Sequence, residues 1–164
     1  QDVKPGEWDH TIAVNLSGMF YSLRSAIPLL KTSKHASIIN IASSAAFFGF
    51  PLRSPYTAAK WAVIGLTKTL AMELGGEGMR VNAICPGSVS GDRIEQVIQA
   101  DALEQGKTVE EIKELYVKQV SMKSFVEPED VANLALFLTS PYGRYISGQA
   151  IGLDGHTEGL TNSL

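Results

Sequence analysis

Segments with helical periodicity alternate along this chain with short apolar runs of β-forming residues, and this alternation is the strongest constraint on its fold. Apolar residues recur every three or four positions over 8–30 and 56–74, which predicts two long helices. Short runs at 36–41 (ASIINI), 79–85 (MRVNAIC) and 149–153 (QAIGL) predict buried strands. Helices that alternate with strands in this way indicate an α/β fold with a parallel sheet.

The C-terminal half of the chain adds further predicted helices. The stretch 88–126 is polar and charged, and its residues 108–120 have the apolar spacing of a helix. Glu127 and Pro128, with more acids behind them, are typical of a helix start and predict a helix through Leu138. With 164 residues and 45% hydrophobic content, the chain can bury the core of one domain.

Composition and charge argue against several classes of function for this chain. The net charge is -3 and the acidic and basic residues are scattered, so neither nucleic acid nor an anionic membrane is an expected partner. No apolar run has the length of a membrane span or a signal peptide, and the single cysteine, Cys85, cannot form an internal disulfide. We therefore expect a cytoplasmic protein. The histidines lack ligand spacing, so no metal site is predicted: His10, His35 and His156.

Tyr56 and Lys60 lie four positions apart near the start of the second long helix. This spacing places both side chains on one helix face, where the ammonium would stabilise a phenolate and assist proton exchange. A solvent-exposed pair without function is the alternative. Ser43 favours the functional interpretation, because it follows a predicted strand at the edge of the sheet where open α/β folds bind ligands. The turn Pro86-Gly87 ends the next strand at the same edge.

An ordered set of motifs resembles the C-terminal portion of a short-chain dehydrogenase/reductase. In chain order the motifs are VNLSG, IINIASS, YTAAK, RVNAICPGSV and ISGQAIGLDG. The resemblance implies a Rossmann-like, doubly wound parallel sheet, in which residues 1–164 form the C-terminal part of a single NAD(P)-binding domain. It also implies an oxidoreductase that transfers a hydride between NAD or NADP and a small-molecule carbonyl or secondary alcohol.

The resemblance also implies roles for individual residues. Tyr56 would be the general acid/base, and Lys60 would favour its ionisation and hold the nicotinamide ribose. Ser43 would hydrogen-bond the substrate oxygen, with Ser44 as the alternative serine. Asn15, in VNLSG, would complete a water-linked proton relay through the lysine.

Further contacts are implied around these residues. The turn that packs against the nicotinamide corresponds to Pro86, Gly87 and Val89. The expected substrate-binding residues are Ser43, Ala45, Phe48 and Tyr56. Phe47, Phe48 and Phe50 suit either the core or an apolar pocket wall, and Arg53 and Arg93 suit either the surface or an anionic group. Cys85 is expected to be a core residue.

Two departures from the family pattern qualify this interpretation. Gly91 stands where the family often has a threonine that contacts the nicotinamide carboxamide. The sequence also lacks a glycine-rich turn between a strand and a helix, which would bind the pyrophosphate. We therefore expect an N-terminally truncated fold whose 164 residues alone bind a dinucleotide weakly. A non-catalytic binding or scaffold protein and a sugar-nucleotide epimerase or dehydratase are the alternative functions.

Two expectations concern assembly and access to the site. A stripe of small residues on the second long helix, Ala58, Ala62 and Gly65, would let another helix approach closely. With the family's habit of pairing its long helices, this predicts a homo-oligomer, a dimer or tetramer, with contacts through 8–30 and 56–74. The long segment 88–126 is expected to cover the substrate, with Gly91 and Gly106 as hinges.

Overall fold

The protein is described over residues 1–160 by a computed structural model. Its helices are α1 (Pro5–Ile12), α2 (Gly18–Leu30), α3 (Ser54–Gly75), α4 (Asp92–Gln105), α5 (Val109–Lys118) and α6 (Pro128–Thr139). Its strands are β1 (Ser37–Ile41), β2 (Arg80–Pro86) and β3 (Ala150–Leu153). Single 3-10 turns lie at Ser44–Ala46 and Pro141–Gly143. The predicted strands and the helices at 56–74, 108–120 and 127–138 are each found within about two residues of their expected ends.

Within the described residues the strands form one parallel sheet in the order β1-β2-β3. Ile38 of β1 pairs with Val81 of β2, and Ile84 of β2 pairs with Ile151 of β3. The central strand β2 is buried along most of its length, as expected for a parallel strand covered on both faces. The predicted α/β architecture is therefore confirmed.

Successive side chains of β2 point alternately to the two faces of the sheet. On one face, Val81 packs with residues of α2 and α3, including Leu23 and Leu74. On the other face, the side chains of Arg80 and Asn82 bond to backbone carbonyls at the end of α6 and in the chain after it. Helices thus cover both faces of the sheet, and the carboxyl ends of the strands remain as one accessible edge.

The long helix predicted over 8–30 has an interruption. α1 and α2 are joined by a π-helical segment, Ala13–Ser17, so the path continues with one wider turn. Such turns arise where a residue is inserted into an α-helix and frequently occur at functional sites. Periodicity alone did not predict this turn because the apolar spacing on either side is ordinary.

α4 is the element that the sequence analysis missed. We expected one helix within 88–126, whereas the structure has a second at Asp92–Gln105. Its buried residues Ile98 and Ala102 are four positions apart, and Gly106 follows its end, so a periodicity signal was present. Charged residues along the rest of the helix, such as Asp92, Arg93 and Glu95, obscured that signal. Over residues 1–160, no helix is both long and apolar enough to cross a membrane.

Candidate active site

The carboxyl ends of the strands bring three segments of the chain together. Ser43 follows β1, Gly87 follows β2 and Asp154 follows β3. The backbone N–H of Gly87 donates to the carbonyl of Leu153 at 3.0 Å, and a Cβ at Gly87 would lie 2.9 Å from that of Asp154. Only glycine fits such a close approach between the two turns.

α3 presents Tyr56 and Lys60 at this edge of the sheet. The helix begins just after Arg53, with Pro55 in its first turn, where the missing N–H of a proline costs no hydrogen bond. Lys60 is buried, and its Nζ donates to the carbonyl of Ile41, the last residue of β1, at 3.2 Å. The same Nζ lies 5.6 Å from the ring centroid of Tyr56. The predicted pair therefore shares one face of α3, against the end of β1.

The environment of Lys60 favours loss of its proton. Burial lowers the pKa of the ammonium, and the positive charge of Arg93 lowers it further. Arg93 belongs to the first turn of α4, so the segment after the Pro86-Gly87 turn contributes charge to this site.

Ser43 offers a hydroxyl at the same edge. Its Oγ accepts a hydrogen bond from the backbone N–H of Ala45 at 3.2 Å, so its own hydrogen is available to donate. Ser44, the alternative serine, is buried inside the 3-10 turn. The half-buried position of Ser43 supports the choice of this serine over its neighbour.

The other predicted substrate-binding residues differ in accessibility. Ala45 has no exposed surface, so the packing gives its predicted substrate contact no support. Phe48 is half-buried and lines an open groove with Phe50, Pro51 and residues 158–160 of the C-terminal segment. Phe47 is exposed and lies against Gly152 of β3.

The residues predicted to form the cofactor turn, Pro86, Gly87 and Val89, follow one another at the end of β2. Pro86 is buried as the last residue of β2, and Gly87 makes the close contact described above. Val89 forms an isolated parallel bridge with Val126, so it also closes the base of the segment 88–126. Gly91 has a φ of 128°, a backbone conformation that a threonine would adopt only with strain.

Asn15 lies in the π-helical segment, which packs against α3. Its Nδ2 donates to the carbonyl of Thr11 at 3.0 Å, one turn earlier in the helix. Among the hydrogen bonds of residues 1–160, none joins Asn15 to Lys60. The two therefore share a region without direct contact, and the water-linked relay stays a prediction.

Cys85 lies in the core. It is fully buried among Ala42, Val63 and Ala83, as predicted. Burial raises the pKa of this thiol to about 11, which keeps it neutral and unreactive. In the described part of the chain, no cluster of three or more His, Cys, Asp or Glu side chains could hold a metal ion.

Two acidic residues near the site were not identified from the sequence. Asp154 packs against Gly87, and Asp101 of α4 contacts Arg53 and Tyr116. For Asp154 a signal existed, because it directly follows the third predicted strand in ISGQAIGLDG. For Asp101 none existed, because its partners lie far away in the sequence.

A family model described as "Enoyl-(Acyl carrier protein) reductase" matches residues 1–157. The chain belongs to the short-chain dehydrogenase/reductase family. A relative in this family, the D-beta-hydroxybutyrate dehydrogenase of Rhizobium meliloti (strain 1021), is 41% identical over 156 residues, which are 94% of this chain and 60% of the relative. The chain thus spans less than two thirds of that relative's length.

Solved structures of short-chain dehydrogenase/reductase proteins superimpose on the fold. A short chain dehydrogenase family protein from Francisella tularensis has a TM-score of 0.88 at 28% identity, covering 94% of this chain and 63% of its own. A 3-oxoacyl-[acyl-carrier protein] reductase from Brucella melitensis with bound NAD has a TM-score of 0.78 at 31% identity, covering 96% and 54% respectively. The predicted family and its doubly wound parallel fold are both confirmed.

Proposed function

We propose that this chain carries the proton-transfer half of an oxidoreductase that moves a hydride between a nicotinamide cofactor and a carbonyl or secondary alcohol. The observation that supports it most is the placement of Lys60, with its Nζ 3.2 Å from the carbonyl of Ile41 and 5.6 Å from the ring centroid of Tyr56. This places a cation beside a tyrosine at the edge of the sheet where Ser43 also lies. In this proposal residues 1–164 form the C-terminal part of one NAD(P)-binding domain.

Tyr56 and Ser43 are suited to hold and protonate a substrate oxygen. Within the described residues, the Tyr56 hydroxyl has no hydrogen-bond partner, and the Ser43 hydroxyl uses only its acceptor capacity. Two O–H donors are thus available at one edge of the sheet. In reduction Tyr56 gives its proton to the developing alkoxide while Ser43 holds that oxygen, and in oxidation the proton returns to Tyr56.

The donors around Lys60 suit the ribose end of a nicotinamide cofactor. An ammonium has three N–H donors, and in residues 1–160 one of them bonds to Ile41, which leaves capacity for ribose hydroxyls. The turn from Pro86 through Val89 borders the same edge and would flank the ring. When bound, NAD or NADP supplies or accepts the hydride.

The names of the relatives suggest a substrate class. The similar proteins include one named as a β-hydroxybutyrate dehydrogenase and one named as a 3-oxoacyl reductase, and both names place the reacting oxygen on the third carbon of an acyl group. We infer that this protein acts on a 3-hydroxy or 3-oxo acyl compound. The groove lined by Phe48 and Phe50 offers apolar surface for the carbon chain of such a compound.

The test is Tyr56→Phe in the protein as its gene encodes it, assayed with D-3-hydroxybutyrate and with an acetoacetyl thioester. Loss of the phenol should lower kcat by about 10²-fold or more and leave NAD(H) binding within about twofold. Tyr142→Phe, at a tyrosine that is 86% exposed, is the control and should retain full activity. Substantial turnover by Tyr56→Phe would assign the proton transfer to another group.

We also infer a homo-oligomer assembled through α1, α2 and α3, and a cytoplasmic location. The small residues predicted at the contact are accessible, because Ala58 and Gly65 are exposed and Ala62 is half-buried. Large apolar side chains are exposed on the same helices: Trp8, Phe20, Tyr21, Trp61 and Met72. A second copy would remove this surface from water.

A further inference from the structure

The segment 88–126, called the cover here, is a separate packing unit beside the sheet. Its helices α4 and α5 pack on each other around the buried residues Ile98, Ala102 and Ile112. The residues packed around this cluster, Ile94, Leu115, Tyr116 and Phe125, also belong to the cover. Because the cover has its own small core, its position relative to the sheet is set by a few contacts at its margins.

Backbone bonds close the base of the cover on itself and join its far end to the chain beyond β3. At the base, the N–H of Ser90 donates to the carbonyl of Val126 at 2.8 Å, and the N–H of Val126 donates to the carbonyl of Ser88 at 2.9 Å. At the end of α5, the N–H groups of Ser121 and Met122 donate to carbonyls of residues 155–156, beyond β3. The bonds of Ser121 and Met122 fix the far end of the cover to the rest of the protein but leave the middle of α4 to side-chain contacts.

Asp101 makes such a contact from the middle of α4. Its Oδ2 accepts a hydrogen bond from the Tyr116 hydroxyl of α5 at 2.6 Å, and its Oδ1 lies 3.8 Å from Nη2 of Arg53. Arg53 immediately precedes α3, three positions before Tyr56. Among the ion pairs of residues 1–160, this is the one that joins the cover to the rest of the protein.

We propose that Asp101 is a positioning residue that holds the cover over the start of α3 by contacting Tyr116 and Arg53 at the same time. This role rests on the proposed function, because it gives the cover a substrate site to close. Asp101 does not touch the reacting atoms. It sets the distance between α4, which carries Arg93, and α3, which carries Tyr56 and Lys60.

The two contacts of Asp101 differ in strength and in purpose. The short bond from Tyr116 is charge-assisted, and burial followed by the Asp101 carboxylate raises the pKa of Tyr116, so this tyrosine stays protonated as the donor. The pair with Arg53 is longer and partly exposed, so it adds little to global stability. A weak ion pair that joins two packing units is suited to opening and closing without unfolding either unit.

Hydrogen exchange in the protein as its gene encodes it tests this role without requiring turnover. Asp101→Asn keeps an oxygen acceptor for Tyr116 but removes the charge that faces Arg53, so amide exchange in α4 should become roughly two- to fivefold faster. Asp101→Ala removes both contacts and should accelerate exchange in α4 at least about tenfold. Exchange in β1, β2 and β3 should stay unchanged in both variants.

Further variants distinguish a positioning role from a general effect of charge. Glu104→Gln makes the same charge change at an exposed residue of α4 that has no bond or ion pair among the described residues, and it should leave exchange unaltered. Arg53→Gln should accelerate amide exchange in α4 as much as Asp101→Asn does, and combining the two substitutions should accelerate it no further. Arg53→Lys keeps the positive charge, so exchange in this variant should stay slow.

The proposal is wrong if Asp101→Asn exchanges like the unmodified protein, or if Glu104→Gln accelerates α4 equally. Faster exchange that extends through all three strands would also overturn it, because Asp101 would then support the whole fold. None of these measurements requires turnover. If the protein proved inactive as an oxidoreductase, the test would therefore still decide whether Asp101 positions the cover.

Discussion

Replacing Arg80 with methionine should detach the end of α6 from the sheet. The guanidinium of this residue, at the start of β2, donates through Nη1 to the carbonyls of Leu138 at 2.5 Å and Gly143 at 2.9 Å. Longer bonds reach the carbonyls of Ile146 and Thr139 at 3.3 and 3.4 Å. The positive charge also faces the negative end of the α6 dipole. One side chain thus ties the C-terminus of α6, and the chain leading to β3, to the central strand.

The two short bonds determine the expected loss of stability. A hydrogen bond that involves a charged group contributes about 1.5 kcal/mol or more to folding, so losing two of them costs about 3 kcal/mol. Water cannot readily replace the arginine at Leu138, because that residue is fully buried. The two longer bonds contribute little, because their donor–acceptor distances of 3.3 and 3.4 Å exceed those of well-formed N–H···O bonds. The corresponding fall in Tm is about 6–12 °C.

Equilibrium unfolding in urea, followed by circular dichroism, measures this loss. Arg80→Met should lower the midpoint with an unchanged slope, and Arg80→Lys should lose less because an ammonium keeps the charge and some donors. Arg144→Met is the matched control, since the guanidinium of Arg144 contacts only the ring of Tyr145 at 5.3 Å in the described structure. It should lose less than about 1 kcal/mol. If Arg80→Met unfolds within about 0.5 kcal/mol of the unmodified protein, the reasoning about these carbonyls fails.

Two further predictions concern the thiol and the assembly. Because the pKa of Cys85 is about 11 in the folded protein and 9.0 in its unperturbed state, the unfolded chain loses this proton first as pH rises. The free energy of unfolding should therefore fall as the pH rises between these two values. Cys85 should react with a disulfide reagent at pH 8 only after denaturation. Rapid reaction of the folded protein would contradict its burial. For the assembly, sedimentation at micromolar concentration should show a dimer or tetramer that Trp61→Glu dissociates, because the indole is half exposed on α3. A monomeric unmodified protein would rule out the contact through α1, α2 and α3.

The sequence was sufficient for the elements that carry the candidate chemistry. Ser43, Tyr56 and Lys60 lie within one β1–loop–α3 unit, so local periodicity and the rule for strand carboxyl ends placed them at the same edge. The helix starts could be predicted for the same reason, since Thr108 and Glu111 form a capping box that is visible as a four-residue pattern.

Contacts between distant segments could not be predicted in this way. Arg80 bonds to Leu138 across 58 positions, and neither residue has a neighbouring pattern that identifies the other. The pair of Asp101 with Arg53 depends on how α4 lies over α3, which sequence periodicity leaves undetermined. The π-helical turn around Asn15 is another such case, because the inserted residue changes the direction of side chains without changing their hydrophobic spacing.

This difference follows from how the candidate site is divided between the cover and the rest of the protein, which is called the body here. The groups proposed for proton transfer sit on β1 and α3, whose relative position is fixed by buried contacts such as the bond from Asn40 Nδ2 to Thr67 Oγ1 at 2.9 Å. The cover is joined to the body by an ion pair at 3.8 Å and by the backbone bonds of Ser121 and Met122. In the proposed function, buried contacts would hold the proton-transfer groups in constant geometry, whereas weaker marginal contacts would let the cover open for exchange of ligands. Substitutions in the body should therefore change the chemical step, and substitutions at Asp101 or Arg53 should change access to it.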